Sequence, residues 1–135
     1  MLNKEESKVL ESAKKLINKV CDGKNHTVGC AVLTKNNKLF YGINMYMDGM
    51  NCVCAEQNAV GSALTEGEKD FKAIVAVAKD QSGTFILSPC GQCRQFLSKY
   101  APEVRVIIND NNEVKSVSIN ELLPYAYKNH QHNKK

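Results

Sequence analysis

Apolar residues recur at helical spacing over the first twenty positions of the chain, namely Val9, Leu10, Ala13, Leu16, Ile17 and Val20. Asn3 precedes this stretch as a predicted N-cap, and Glu6 stands three places further on, as in a capping box. The pattern therefore predicts an amphipathic first helix.

Two runs rich in β-forming residues follow the helix, HTVGCAVLT at 26–34 and KLFYGIN at 38–44. The polar triplet KNN separates them, and two such runs joined by a short polar turn are typical of a β-hairpin. The next apolar stretch, about 54–65, returns to a helical pattern and ends at EGEKD. The first half of the chain therefore predicts helix, hairpin and helix.

The second half alternates predicted strands with helices. The strands are FKAIVAVAK, GTFILS, VRVIIND and EVKSVSI, and the helices are CGQCRQFLSKYA and a brief one around NELLP. This order favours a three-layer α/β domain with a mixed, about five-stranded sheet flanked by helices. We expect one domain over 1–128 and a disordered polar tail over 129–135 that includes His130 and His132.

Composition narrows the classes of function. A chain of 135 residues with 43% hydrophobic residues has the size of one domain with a single core. Three of the 18 basic residues, Lys128, Lys134 and Lys135, lie in the last eight positions, which leaves 15 basic and 14 acidic side chains in residues 1–127. This balance, without a basic run, argues against nucleic-acid binding and favours a small-molecule ligand.

The cysteines and the N-terminus bear on cellular location. The first residues are charged and amphipathic, and nowhere do eighteen apolar residues follow one another, so we expect a cytoplasmic protein without a membrane segment. In a reducing compartment, six cysteines are more often free thiols, metal ligands or catalytic groups than disulfides.

Three of these cysteines lie where two predicted helices begin. Cys90 and Cys93 form a C-x-x-C directly after a predicted strand, and Cys54 opens the other helix. Thiolates at two helix N-termini can surround one zinc ion and leave its fourth position open, as in catalytic sites. Glu56, two places after Cys54, would lie beside this metal without binding it, where it can transfer protons.

Simpler interpretations of the same residues remain open. With Cys52, the three cysteines could form a closed structural site, or the C-x-x-C could be a redox pair, but neither explains Glu56. Glu56 alone could be a first-turn charge stabilised by the helix dipole. Cys21, Cys30 and Cys52 are otherwise expected to be ordinary packed thiols.

The segments CAE and PCGQC, the second starting 33 residues after Glu56, resemble the cysteine-type signature of the zinc nucleobase deaminases. The similarity to this cytidine deaminase-like superfamily extends over nearly the whole chain and is greatest to the blasticidin S deaminases. The other segments that match the family are EES, FYGIN and INELLP, and Tyr127 follows the INELLP segment.

The resemblance implies a role for each matching position. Cys54, Cys90 and Cys93 would bind one zinc ion per subunit of a homotetramer, while Glu56 moves protons during hydrolytic deamination of a cytosine ring. The other positions implied to contact the nucleoside are His26 with its aromatic face, Asn44 at the sugar, Ala55 and Ser88 through their backbones, and Tyr127 in a closing segment. Without the resemblance, His26 and Asn44 would be turn residues and Tyr127 a helix anchor.

Two departures from the family pattern affect substrate and metal. Cytidine deaminases read N-x-E at the sugar, whereas this chain reads NMY with Tyr46, so selection for an ordinary ribose should weaken. We therefore expect blasticidin S as the substrate, with cytidine or deoxycytidine as the alternative. Gln57 replaces an arginine that many relatives place against the thiolates, which leaves Arg94 and the two helix N-termini to draw charge from the sulfurs.

Two functions of other classes also fit parts of the sequence. One is a zinc-stabilised binding module without turnover, and the other is a deaminase that edits polynucleotides. The presence of Glu56 argues against the first, and the nearly neutral body of the chain argues against the second.

Overall fold

The computed structural model of the chain describes residues 1–49 and 52–128. Its helices are α1 (Lys4–Val20), α2 (Ala55–Thr65), α3 (Gly91–Tyr100) and α4 (Ile119–Leu122), and its strands are β1 (Val28–Thr34), β2 (Leu39–Ile43), β3 (Phe71–Asp80), β4 (Gly83–Leu87), β5 (Arg105–Asp110) and β6 (Glu113–Ser118). Each helix and strand predicted from the sequence is present in these residues. The tail predicted for 129–135, with His130 and His132, lies outside the described residues.

The strands form one mixed sheet, which confirms the predicted α/β class. The order is β2-β1-β3-β5-β6, and β4 also pairs with β3. Among the strands of residues 1–49 and 52–128, only β3 and β5 pair in parallel. The predicted sheet had about five strands, but all six apolar runs join it, because β3 is ten residues long and pairs with two strands along one edge. Ala73 and Ile74 pair with β5, whereas Ala76–Asp80 pair with β4.

The sheet is covered on both faces, which explains why β3 is apolar and buried from Ala73 to Ala78. Val9, Ala13 and Ile17 of α1 pack with Ala73, Val75 and Val77 on one face, and Ile74 packs with α2 and α3 on the other. Alternate residues of a strand face opposite sides, so a central strand between two helical layers has no polar face. Each fully buried Ile or Val contributes about 1.5–3 kcal/mol through burial of apolar surface.

A glycine sets the distance between α2 and the sheet. A Cβ atom on Gly42 would overlap the backbone nitrogen of Ala59 and would lie 2.5 Å from the carbonyl oxygen of Ala55. One residue further along β2, the carbonyl oxygen of Ile43 accepts a hydrogen bond of 2.6 Å from Asn58 Nδ2. The FYGIN segment thus holds the first turns of α2 directly against the end of β2.

None of the helices in residues 1–49 and 52–128 is both long and apolar enough to cross a membrane.

Candidate active site

The three predicted metal ligands meet at the N-termini of two helices. Cys54 is the N-cap of α2, Cys90 is the N-cap of α3, and Cys93 lies in the first turn of α3. Their Sγ atoms all lie within 4.8 Å of one another, and those of Cys54 and Cys90 are 4.0 Å apart. A tetrahedral zinc ion with Zn–S bonds of about 2.3 Å holds its sulfurs about 3.8 Å apart. The cluster therefore has the dimensions for a single zinc ion.

The surroundings of the three thiols differ. Burial opposes ionisation of Cys90, but hydrogen bonds from the Cys93 backbone and thiol, together with others from Cys54 and Gln92, lower the pKa of Cys90 below its usual value. Burial raises the pKa of Cys54 and of Cys93, and Cys93 is fully buried. A cation in the cluster would favour thiolate in all three, because metal ligation requires deprotonated sulfur.

Glu56 is a buried acid beside the cluster. It is the second residue of α2, and only 7% of its surface is exposed. Burial raises the pKa of the Glu56 carboxyl, and hydrogen bonds with its own backbone N–H and with the Cys93 thiol offset part of that rise. A raised pKa makes the ionised carboxyl a stronger base, which suits a group that takes up and returns protons.

A cavity of about 160 Å³ joins these residues to the predicted nucleoside contacts. Cys54, Glu56 and Cys90 line the part that we call the zinc end, after the predicted metal ligands, and Asn44 and Cys52 line the part that we call the sugar end, after the predicted role of Asn44. The rest of the wall comprises Val28, Ala55, Ala76, Leu87 and Ser88. Sites for complete small ligands usually measure about 300–1,000 Å³, so this cavity accommodates part of a ligand.

Asn44 is held at the sugar end by the backbone of β1 and the residue before it. Its Oδ1 accepts hydrogen bonds from the N–H groups of Thr27, at 2.8 Å, and Val28, at 3.0 Å. Its Nδ2 lies 3.4 Å from Thr27 Oγ1 and 3.9 Å from Cys52 Sγ. His26 lies beside the cavity lining, with Nδ1 2.9 Å from the carbonyl oxygen of Asn44.

Within residues 1–49 and 52–128, Arg94 forms no hydrogen bond with the cysteine sulfurs of the cluster. The Nε of Arg94 donates a hydrogen bond to the carbonyl oxygen of Pro89 at 2.8 Å, and its Nη1 donates one to the carbonyl oxygen of Leu122 at 2.9 Å. Arg94 therefore ties α4 to the residue that precedes Cys90. Its predicted influence on the thiolates stays a prediction.

Two tyrosines lie away from the cavity lining. The carbonyl oxygen of Tyr127 accepts a hydrogen bond from Gln95 Nε2 on α3, and the Tyr127 residue is 75% exposed. The hydroxyl of Tyr46 accepts a hydrogen bond from the N–H of Gly49 within its own loop. The contact of Tyr127 with substrate stays a prediction.

The sequence interpretation missed Cys52 as a lining residue of the cavity. The signal was available, because residues two apart on an extended segment face the same side. Val53 forms an isolated antiparallel bridge with Met45, and Cys52 and Cys54 flank it.

This fold, with a cysteine cluster and a buried glutamate at two helix N-termini, defines a zinc-dependent hydrolase of the deaminase type. The chain belongs to the family described as the cytidine and deoxycytidylate deaminase zinc-binding region, whose model matches residues 3–120. The resemblance identified from CAE and PCGQC is confirmed, and with it a zinc-dependent enzyme that deaminates by hydrolysis.

Three relatives illustrate the range of the similarity. A blasticidin-S deaminase of Bacillus cereus is 35% identical over 133 residues, covering 93% of this chain and 94% of the relative. A cytidine deaminase of Halalkalibacterium halodurans is 32% identical over 103 residues, covering 74% of this chain and 76% of the relative. The crystal structure of a cytidine deaminase from Burkholderia pseudomallei has a TM-score of 0.74 and 32% identity, covering 90% of this chain and 98% of that one.

Proposed function

We propose that this enzyme deaminates the cytosine ring of a nucleoside, with blasticidin S as its first substrate and cytidine or deoxycytidine as the alternative. The observation that carries the proposal is the single cavity that joins Glu56 and two cysteines of the cluster to Asn44. The overall reaction adds water at C4 of the ring and releases ammonia, which leaves a uracil-type product.

Cys54, Cys90 and Cys93 would hold the zinc ion. When bound, zinc supplies a Lewis acid that makes water nucleophilic near neutral pH. Glu56 would accept the two protons of water in turn: the first goes to the ring nitrogen, and the second, taken from the hydroxyl added at C4, goes to the departing amine. Its burial suits this exchange, because the raised pKa brings the carboxyl closer to the working pH.

Ala55 and Ser88 would orient the pyrimidine through their backbones. Ala55 is the first residue of α2, where backbone N–H groups have no acceptor within the helix. Ser88 follows β4 and lines the same cavity. Both residues can therefore offer backbone groups to the ring edge whatever their side chains. His26 would place its ring beside the base, and Tyr127 would belong to a segment that closes over the ligand.

The sugar end favours a modified sugar. Two backbone amides occupy Oδ1 of Asn44, so its group for a ligand is Nδ2, whose contacts with Thr27 Oγ1 and Cys52 Sγ are long. Glu56 is the one carboxylate that lines the described cavity, and it lies at the zinc end. A site that donates to a sugar without a carboxylate acceptor should select weakly for an ordinary ribose. The Bacillus cereus relative, named for blasticidin S, matches nearly the whole chain.

The test is the loss of ultraviolet absorbance when zinc-loaded protein receives blasticidin S, cytidine and 2′-deoxycytidine in parallel. We expect the highest kcat/KM with blasticidin S. A preference for cytidine would reject blasticidin S as first substrate and would show that Asn44 suffices to bind ribose.

We also propose a homotetramer located in the cytoplasm. Four large hydrophobic side chains in and after β2 are each more than 40% exposed, those of Tyr41, Met45, Tyr46 and Met47. The cavity encloses only part of a ligand, so residues of a second subunit could complete its wall. The six free thiols suit a reducing compartment. Sedimentation is the check, and a stable monomer would remove the tetramer.

A further inference from the structure

Asp22 organises the loop between α1 and β1. One oxygen of its carboxylate, Oδ1, accepts hydrogen bonds from three consecutive backbone N–H groups, those of Lys24 at 2.9 Å, Asn25 at 2.8 Å and His26 at 2.9 Å. The backbone N–H of Asp22 donates to the carbonyl oxygen of His26 at 3.2 Å. The carboxylate thus closes residues 22–26 into a compact ring that ends at His26.

The carboxylate of Asp22 keeps its charge over the physiological range. The backbone N–H groups of His26, Lys24 and Asn25 lower the pKa of Asp22 to about 2. A lowered pKa makes the contribution of this group complete above the ordinary value near 4, and that contribution is lost as the pH falls towards 2. The ring therefore remains closed from about pH 5 upward.

The loop is also attached to the residues that leave β2. The carbonyl oxygen of Asn25 accepts a hydrogen bond from the N–H of Tyr46 at 3.4 Å. The ring of His26 reaches the carbonyl oxygen of Asn44 through Nδ1 at 2.9 Å. A carbonyl oxygen can only accept, so Nδ1 of His26 must carry the proton, and in the neutral ring Nε2 is left as an acceptor.

We propose that Asp22 is a positioning residue for the sugar end of the cavity. It acts through the backbone of residues 24–26 to hold the His26 ring in the Nδ1–H form against Asn44, and so sets where Asn44 Nδ2 meets the ligand. The inference rests on the proposed function for its effect on substrate, but the coupling between Asp22 and His26 is a property of the fold itself.

Asp22 acts locally because it lies outside both packed cores. Its side chain is on the surface, and the β1–β2 pairing from Gly29 to Leu33 does not depend on it. Loss of the carboxylate should therefore loosen the end of the hairpin that carries Asn44 while the sheet stays intact.

Two substitutions of Asp22 separate geometry from charge. In Asp22→Ala the three N–H groups lose their acceptor, and we expect KM to rise about tenfold with kcat within about twofold, because binding is weakened while the chemical step is untouched. In Asp22→Asn the side-chain oxygen remains as an acceptor, so KM should return to within about twofold of the wild type. Kinetics are measured with whichever of blasticidin S and cytidine the wild type deaminates.

Asp80→Ala is the matched control. Asp80 Oδ1 likewise accepts bonds from the backbone N–H and the hydroxyl of Ser82, at 2.8 and 2.6 Å, but in the β3–β4 turn and away from the cavity lining. This variant should keep the wild-type KM. Zinc content and melting temperature, measured for all variants, exclude a general loss of structure.

Nitrogen-15 spectra of the imidazole rings test the coupling without any turnover, with a His26→Gln variant to assign the His26 signals. The wild type and Asp22→Asn should show His26 in the Nδ1–H form, and Asp22→Ala should show a mixture of tautomers. A wild-type tautomer in Asp22→Ala would overturn the proposal, as would a wild-type KM in that variant. Absence of deamination in the wild type would instead reject the proposed function, and the imidazole spectra would then decide the inference.

Discussion

The two ends of the cavity are built in different ways. At the zinc end, Cys54 and Glu56 come from one short segment and Cys90 and Cys93 from another, and each segment begins a helix. At the sugar end, Asn44 follows β2, Cys52 precedes α2, and the loop before β1 supplies Asp22 and His26. Hydrogen bonds join Asp22 to His26 and His26 to Asn44. The proposed chemistry thus depends on the starts of two helices, whereas the proposed sugar recognition depends on loops and strand ends.

This difference indicates which end can change without loss of the reaction. Helix geometry sets the spacing of C-x-E and C-x-x-C, so a substitution there removes the metal or the proton carrier. The loops of the sugar end can exchange one polar contact for another while the helices stay in place. Replacement of the expected N-x-E by NMY is a change of this second kind.

The largest effect should follow removal of the proton carrier at the zinc end. In Glu56→Gln the side chain keeps its size but cannot accept a proton, and we expect kcat to fall about 10³-fold or more. Zinc content should remain that of the wild type, because Glu56 does not belong to the cysteine cluster. Activity close to that of the wild type would show that Glu56 is only a helix N-terminal charge.

The next largest effect should come at Gly42, where β2 and α2 pack directly against each other. Gly42→Ala forces a Cβ atom into the backbone of α2, and we expect the free energy of unfolding to fall by about 3 kcal/mol. The matched control is Gly61→Ala on α2, where a Cβ meets no atom within 4 Å and should be neutral or slightly stabilising. Denaturant unfolding measures the free energy of unfolding of both variants. Equal values for Gly42→Ala and Gly61→Ala would contradict the close contact between Gly42 and α2.

A smaller, selective effect should follow loss of the donor at the sugar end. Asn44→Asp keeps an oxygen for the N–H groups of Thr27 and Val28 but removes Nδ2. We expect KM to rise about tenfold with zinc content and melting temperature unchanged, as for loss of one ligand hydrogen bond. Asn44→Ala should in addition destabilise the fold, because it leaves the two amides without their acceptor. An unchanged KM in Asn44→Asp would place the sugar elsewhere.

The smallest effect should follow loss of Arg94, which joins Pro89, the residue before Cys90, to α4. Arg94→Ala removes two hydrogen bonds to carbonyl oxygens, and we expect a loss of about 1–2 kcal/mol in the free energy of unfolding. If Arg94 also draws charge from the thiolates, zinc retention and turnover should fall as well. The control is Arg105→Ala on β5, whose hydrogen bonds go to Ser116. Unchanged zinc retention and turnover in Arg94→Ala would leave Arg94 a structural tie alone.

The sequence predicted the zinc end more completely than the sugar end. C-x-x-C at a strand-to-helix junction and C-x-E at another helix start already place four side chains at the beginnings of two helices, and the structure brings the three cysteines together. His26 and Asn44 were identified through a family resemblance, and their mutual contact depends on how β1 and β2 approach each other.

Asp22 and the pairing of β4 show what could not be predicted. The segment CDGKN is an ordinary polar turn in sequence, and nothing local indicates that its aspartate supports His26. Likewise, apolar runs predict six strands, but long-range packing decides that β4 and β5 share one edge of β3 while β1 pairs with the other.

The most direct test of the central claim is X-ray absorption at the zinc edge of the metal-loaded protein, which counts the sulfur neighbours of the ion. We predict three sulfur neighbours from Cys54, Cys90 and Cys93 and one lighter neighbour, as in a site that leaves a position open for chemistry. Cys52, whose thiol donates to the carbonyl oxygen of Val53, should not contribute. Four sulfur neighbours would contradict the account, because they would show a closed structural site in place of a catalytic one.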